Sequence, residues 1–144
     1  VLYYLDTVIV IYAVEGNRLD QQRALSHLAT LEQIGHQFAI SELTYTECLV
    51  PVFGTGDGLL LAEFFRFFHG PNLRTLSFTA SMHTRASAIR GSHSYAVISP
   101  AQPKRYGLAD ALHLAAAIES GCDVFLTNDN QLASFPDITI EMLP

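Results

Sequence analysis

The chain has 144 residues, 49% of them hydrophobic, which suits a single domain over 1–144 with a sizeable core and excludes a disordered segment. Its 14 Asp and Glu outnumber 8 Lys and Arg for a net charge of −6, which at face value argues against a protein held on nucleic acid by phosphate contacts. Cys48 and Cys122 show no CxxC or Cys/His spacing, which excludes a zinc ribbon or a disulfide framework and points to a reduced, cytoplasmic compartment.

In chain order, residues 1–5 are a short β-rich run that ends at Asp6, and 7–15 are apolar enough for a buried helix. The apolar run over 1–14 is interrupted by Asp6 and lacks a basic start or a cleavage pattern. It is read as neither a signal peptide nor a membrane span, and residue 1, which is not Met, need not be the native start. Leu25, Leu28, Leu31 and Ile34 recur at steps of three and predict an amphipathic helix over 20–35, started by Asp20 and stopped by Gly35. A brief strand over 38–40 follows. Ser41 is the expected N-cap of a helix over 42–53, whose end Pro51 kinks or shortens.

Beyond a turn at 54–58, residues 59–68 are nearly continuous Leu and Phe, a helix apolar on most sides that needs cover. A third strand is expected over 73–78, a helix over 79–90 and the longest loop over 91–103. The Ala-rich stretch 107–121, closed by Gly121, is the strongest helix, and the last strands fall at 124–126 and 138–142. Strands that alternate with helices of this length predict an α/β fold of βαβ units, a parallel sheet covered by helices on both faces. Ligands of such sheets sit beyond the carboxyl ends of the strands.

Two acids fall there: Asp6 after the first strand, and Asp129 after the fourth in Thr127-Asn128-Asp129. Two more, Glu47 and Asp110, interrupt apolar helix faces, where an unpaired charge costs several kcal/mol or more. Any one of them could be a cap or a paired surface carboxylate, and Asp110 in its first helical turn also suits the macrodipole. No base lies one helical turn from Asp6 or Asp129, so local pairing does not account for the four together. At an effective dielectric near 20, each close carboxylate pair costs roughly 4 kcal/mol. All-oxygen ligands without Cys or clustered His point to Mg²⁺ or Mn²⁺ as the compensating charge, and such a site activates water for attack on a phosphodiester.

Leu5-Asp6-Thr7 with Ile11-Tyr12, Ser41-Glu42-Leu43-Thr44 leading to Glu47, Ala109-Asp110-Ala111-Leu112-His113-Leu114-Ala115 and Thr127-Asn128-Asp129 together resemble the PIN-domain family, and within it the small VapC-type toxins. Order and spacing agree over essentially the whole chain, and the stretch 108–129 is the most specific. The resemblance implies a three-layer α/β/α sandwich with a central, mainly parallel sheet. It further implies Mg²⁺- or Mn²⁺-dependent endoribonuclease activity on RNA, inhibited by an antitoxin partner. By position, Asp6, Glu47, Asp110 and Asp129 match the family's acidic metal-binding quartet, and Thr7 and Thr127 match its motif hydroxyls, with Thr127 expected to orient a carboxylate or bound water. Val8 stands where the family commonly has a small polar residue, and Asn130 where a basic one is frequent.

His113, three residues after Asp110, lies on nearly the same helix face, and a packed structural histidine is preferred there over a proton shuttle. Arg85 and Arg90, with His83 and His93 around them, and Lys104-Arg105 just before Asp110 are the expected phosphate contacts; a solvated helix face is the competing reading. The Leu/Phe helix over 59–68 suggests a homodimer mate or a partner's helix, with ordinary core as the alternative. A receiver domain shares the doubly wound sheet but needs an Asp after the third strand and a Lys after the fifth, and residues 78–79 and 143–144 supply neither. A catalytically weakened module that binds RNA or protein is the remaining alternative. If the four acids are metal ligands, ten acids face eight bases elsewhere, so the excess that argued against nucleic acid is mostly the site itself.

Overall fold

A computed structural model of the chain describes residues 1–96 and 101–144. Five short strands, β1 (Leu2–Leu5), β2 (Gln37–Ser41), β3 (Leu73–Leu76), β4 (Val124–Thr127) and β5 (Thr139–Met142), form one sheet in the order β3-β2-β1-β4-β5, with every pair parallel. On one face lie α1 (Thr7–Glu15), α2 (Arg18–Gln33), α3 (Glu42–Thr55) and α4 (Gly58–Phe68); on the other lie α5 (Ala80–Ser92) and α6 (Leu108–Glu119). The expected α/β/α sandwich is the observed fold.

Side-chain alternation along the strands divides the core into two halves. Tyr3, Leu5, Phe38, Ile40 and Leu126 pack beneath α1 to α4, while Tyr4, Ala39 and Phe125 face α5 and α6. The second half is built from small residues. Ala111, Ala115, Ala116 and Ala117 of α6 are fully buried, and with Ala39 they let helix and sheet approach closely. The chain winds from β1 through β2 to β3 with its helices on the first face, then returns to β4 and β5 with helices on the second. Right-handed crossovers demand that change of face when the direction of winding reverses. The reversal leaves a switch point between β1 and β4.

Several element ends differ from the sequence expectation. Asp20 does not start α2; the Asn17 side chain caps it by accepting from the Asp20 amide, and Asp20 pairs with Arg23 one turn on. Steps of three precess around a helix, so Leu25, Leu28, Leu31 and Ile34 cannot share one face. Ala24, Leu28 and Leu31 are buried, and Leu25 and Ile34 are exposed. Ser41 stands at the N-cap of α3 but makes no capping hydrogen bond, and Pro51 lies within the helix, which continues to Thr55 and ends at Gly56 with φ +70°. A proline here removes only the bond to the Glu47 carbonyl, four residues back. Strand β3 stops at Leu76, the residue opposite the last of β2. Gly91 and Ser92, expected in the long loop, extend α5; residues 97–100 of that loop lie outside the described residues, and an antiparallel bridge pairs Tyr95 with Lys104.

In α4 only Phe64 and Phe68 are buried, with Leu60, Leu61 and Phe67 half-buried against the core and Leu59 82% exposed. Among the described residues, no helix is long and apolar enough to cross a membrane. Replacing Phe64 by Ala is expected to cost about 3–5 kcal/mol of unfolding free energy, whereas Leu59→Ala should stay within about 0.5 kcal/mol, both read from urea denaturation midpoints.

Candidate active site

Beyond the switch point, the carboxyl ends of β1 and β4 lie side by side. Asp6 follows β1 directly: its amide donates to the Leu126 carbonyl at 2.9 Å, which continues the ladder one residue past the strand. The Asp6 side chain then caps α1, Oδ1 accepting from the Thr7 amide at 2.8 Å. Oδ2 accepts from the Thr127 hydroxyl at 2.6 Å. Each oxygen thus has a donor. That same Thr127 hydroxyl accepts from the Asp129 amide at 3.0 Å, so one buried threonine ties together the two acids of the neighbouring strands. Asp129 Oδ1 accepts from the Gln131 amide and caps a short 3-10 turn, Asn130–Leu132.

Glu47 reaches the site from the second turn of α3. Its Oε1 accepts from the Thr7 hydroxyl at 2.7 Å and from His113 Nε2 of α6. His113 is 1% exposed, and its Nδ1 lies 2.6 Å from the Tyr4 phenol oxygen on β1. Asp110 stands one turn before His113, in the first turn of α6, where Gly107 caps the helix without a side chain. The four acids therefore come from four different segments: the end of β1, α3, the start of α6, and the turn after β4.

Their electrostatics separate them. Burial raises the pKa of Asp6 above its ordinary value, against the lowering influence of His113 and of the Thr127 and Thr7 hydrogen bonds. Burial pushes Asp110 up to about 6, and repulsion from Asp6 and then Asp129 adds to it, with His113 opposing and Glu47 contributing further. Glu47 is also partly desolvated, but the hydrogen bond and charge of His113 with the bond from Thr7 outweigh burial and hold it below the usual range. No Lys or Arg is among the causes acting on Asp6, Glu47 or Asp110. Asp6, Glu47 and Asp110 are thus acidic, partly buried and offset by His113 but by no Lys or Arg.

Hard carboxylate oxygens with surplus negative charge match the donor chemistry of Mg²⁺ or Mn²⁺. As the side chains stand, however, no three His, Cys, Asp or Glu groups among the described residues are disposed to hold a metal ion.

The cationic residues expected on RNA are dispersed. Arg85 pairs with Glu119 at the far end of α6, nine residues and about 14 Å along the helix from Asp110. Arg90 Nε donates to the Tyr106 carbonyl, and Arg105 donates to the Arg90 carbonyl, so these two gather before α6. Arg90 and His83 line a cleft of about 310 Å³ with Leu108 and Leu112. Lys104 is exposed, and His93 pairs with Asp137. Sequence reasoning missed Tyr4, whose place in a β-rich run offers no signal of a polar role. It also missed Arg23, which reaches from α2 to the Asn128 side chain at 3.4 Å, next to Asp129, while Asn128 donates to the Tyr12 phenol.

The comparisons with known proteins agree with this architecture. A chain of the Rickettsia felis VapBC2 assembly bound to promoter DNA superposes with a TM-score of 0.78 over 100% of both chains at 19% identity. A toxin-antitoxin complex from Klebsiella pneumoniae gives 0.62 over 95% of each chain at 22% identity. Mycobacterium tuberculosis VapC20, a sarcin-ricin loop cleaving toxin, gives 0.68 over 95% of this chain and 98% of its own at 14% identity. The curated proteins contain no match to the sequence. The family described as PIN domain matches residues 3–138, nearly the whole chain, and with the fold and the quartet of strand-end and helix-borne acids already in place, the protein belongs to the PIN domain family.

Proposed function

We propose that the chain is a Mg²⁺- or Mn²⁺-dependent endoribonuclease, the toxin of a cytoplasmic toxin-antitoxin pair, with Asp6, Glu47, Asp110 and Asp129 as catalytic metal ligands. The observation that carries this reading is the mutual influence of four carboxylates from four segments, three of which, Asp6, Glu47 and Asp110, have no Lys or Arg acting on them. A structural cluster of acids would gain by acquiring a lysine or an arginine; the side chains that hydrogen-bond this one among the described residues are a histidine and two threonines. Family membership and the likeness to toxin-antitoxin structures, one of them of a toxin described as cleaving the sarcin-ricin loop, support RNA as substrate and an antitoxin as partner.

A bound divalent ion would supply charge neutralisation and an activated water for in-line attack on a phosphodiester. The chain's own residues do the rest. Asp6, held at both oxygens by Thr7 and Thr127, is the rigid ligand, and Thr127 keeps Asp129 in step with it. Asp110, raised by burial and by repulsion from Asp6 and Asp129 with no hydrogen bond among the causes that shift it, is the ligand whose charge a bound cation would relieve most. His113 and Thr7 orient Glu47. Arg90, Arg105 and Lys104, ahead of α6, remain the RNA-backbone contacts of this proposal, whereas Arg85, held by Glu119 about two and a half turns away, is the least suited.

For the antitoxin and for a homodimer mate, the apolar residues left outside the core are the surfaces available. They include Val50 and Phe53 on α3, Leu59 on α4, and a groove between α2 and α4 whose rim carries the exposed Leu25 and the half-buried Phe67. A second reading, a catalytically weakened binding module, is favoured by one observation, the absence of a ready three-ligand group among the described residues.

Metal dependence separates the two readings. Chelation should abolish RNA cleavage and Mn²⁺ restore it, while Asp6→Asn and Asp129→Asn should each lower kcat at least about 100-fold with an unchanged circular dichroism spectrum. Cleavage that survives both substitutions would assign the activity to a contaminant. Absence of any thermal shift at millimolar Mn²⁺ would leave the binding module.

Asp110 also predicts a trade of stability for function. Its folded pKa of about 6 lies above that of the unfolded chain, so the native state binds more protons between about pH 4 and 6 and loses stability as pH rises through that window. Metal-free Asp110→Asn should therefore unfold at a higher temperature than wild type at pH 7. After discounting for partial exposure the gain is about 1–2 kcal/mol, and it should vanish at about pH 4 even as cleavage is lost.

A further inference from the structure

We propose that Tyr4 is a positioning residue of the carboxylate site: its phenol, acting through His113, sets which oxygen Glu47 presents to the other three acids. The inference rests on the metal-dependent reading given above.

Glu47 stands on a helix at the edge of the cluster, half-buried, on a side chain with three rotatable bonds. Something must hold it. Its Oε1 accepts from Thr7 at 2.7 Å and from His113 Nε2. A carboxylate offers only lone pairs, so Nε2 must carry its hydrogen toward Glu47. Two donors on Oε1 occupy its two lone pairs, and Oε2 is the oxygen left without a protein donor among the described residues. Glu47 is thereby committed to present one oxygen.

That commitment depends on the imidazole keeping its proton on Nε2 and its plane fixed. Thr7 alone cannot ensure this, because a hydroxyl rotates to suit its partner. The group facing Nδ1 is the Tyr4 phenol at 2.6 Å. With the imidazole hydrogen on Nε2, Nδ1 offers a lone pair, so the phenol O–H is the donor in that contact. Tyr4 is itself fully buried, and its ring stacks on Phe125 of β4 with centroids 5.2 Å apart and planes 13° from parallel. Behind it lie the Ser41 and Thr44 hydroxyls, close enough to favour ionisation of the phenol yet without a formed hydrogen bond of their own. Buried hydroxyls without partners are costly, and both stand near the phenol oxygen.

A phenylalanine at position 4 would fill the core equally well and stack on Phe125 in the same way. Only the hydroxyl distinguishes the two, and its one formed hydrogen bond is to His113. The relay runs from the second half of the core, through α6, to α3 on the opposite face of the sheet, around the end of β1 where Asp6 sits.

Two readouts test it. On metal-free protein at about pH 8, nitrogen-15 spectra of the imidazoles should show His113 protonated at Nε2 in wild type and lose that single form in Tyr4→Phe. By calorimetry, Tyr4→Phe should weaken Mn²⁺ binding about tenfold. The same substitution is made in a His113→Gln background, whose amide nitrogen can donate to Glu47 without a phenol partner, and its Mn²⁺ affinity is compared with that of His113→Gln alone. In that background Tyr4→Phe should have no further effect.

An equal loss of Mn²⁺ affinity from Tyr4→Phe in both backgrounds would mean that the tyrosine acts through packing, and would overturn the proposal. So would a His113 that stays protonated at Nε2 alone in Tyr4→Phe. Absence of Mn²⁺ binding by the wild type would overturn the metal reading instead, and the nitrogen-15 spectra, which need no metal, would still decide whether Tyr4 orients His113. Thermal unfolding of each variant identifies any that fail to fold. In that case the wild-type spectrum decides, and a His113 not held in the Nε2-protonated form would overturn the proposal.

Discussion

A parallel sheet whose winding reverses in the middle forces the carboxyl ends of two adjacent strands to point at the same unfilled space, and the rest of this molecule is arranged around that constraint. α1 after β1 and the Asn130–Leu132 turn after β4 pack toward opposite faces of the sheet, which sets a crevice beyond the ends of β1 and β4. Whatever side chains stand there meet. In this chain they are Asp6 and the Thr127–Asp129 turn, joined by a hydrogen bond between residues 121 positions apart in sequence.

Concentrating acid at that gap works against folding. Asp6 and Asp110 are both raised above their ordinary pKa by burial, and Asp110 further by its neighbours, which is the signature of charge held where a carboxylate alone would not choose to be. The compensation is arranged unevenly. Asp6 has a threonine hydroxyl and a backbone amide, and Glu47 has a histidine and a threonine, but Asp110 has neither a partner of opposite charge beyond the reach of His113 nor a hydrogen bond among the causes that shift it. A site in which three acids are fixed and one is left uneasy is suited to a ligand that brings positive charge. Strain of this kind is commonly stored where function demands it.

The two halves of the core serve the site differently. The half under α1 to α4 is aromatic and bulky and supplies most of the apolar burial, through residues such as Phe38, Phe64 and Phe68. The other half is alanine-rich, which brings α6 close to the sheet, and closeness is what lets His113 reach past the strand end to Glu47 while touching Tyr4 behind it. Packing and chemistry are therefore linked through α6. A larger residue at Ala39 or Ala115 would push the helix outward and loosen the contact with Glu47, not only overfill the core.

Alternating apolar runs and helix-length segments were enough to specify five strands, helices on both faces and a parallel sheet, because those periodicities are local properties of the chain. Asp6, Glu47, Asp110 and Asp129 stand out in the sequence for the same reason: each is out of place in its own neighbourhood, at a strand end or on an apolar helix face. Element ends were less legible, as at Asn17 and Pro51, since a capping hydrogen bond or a tolerated proline depends on side-chain geometry that composition does not carry. The pairing of Arg85 with Glu119, the bridging by Thr127 and the role open to Tyr4 were decided only by the tertiary structure. A tyrosine in a β-rich run reads as core at every level of sequence pattern. It becomes a polar partner only because the fold sets a histidine 109 residues away within 2.6 Å of its hydroxyl, and long-range contacts of that kind are fixed by how the layers pack.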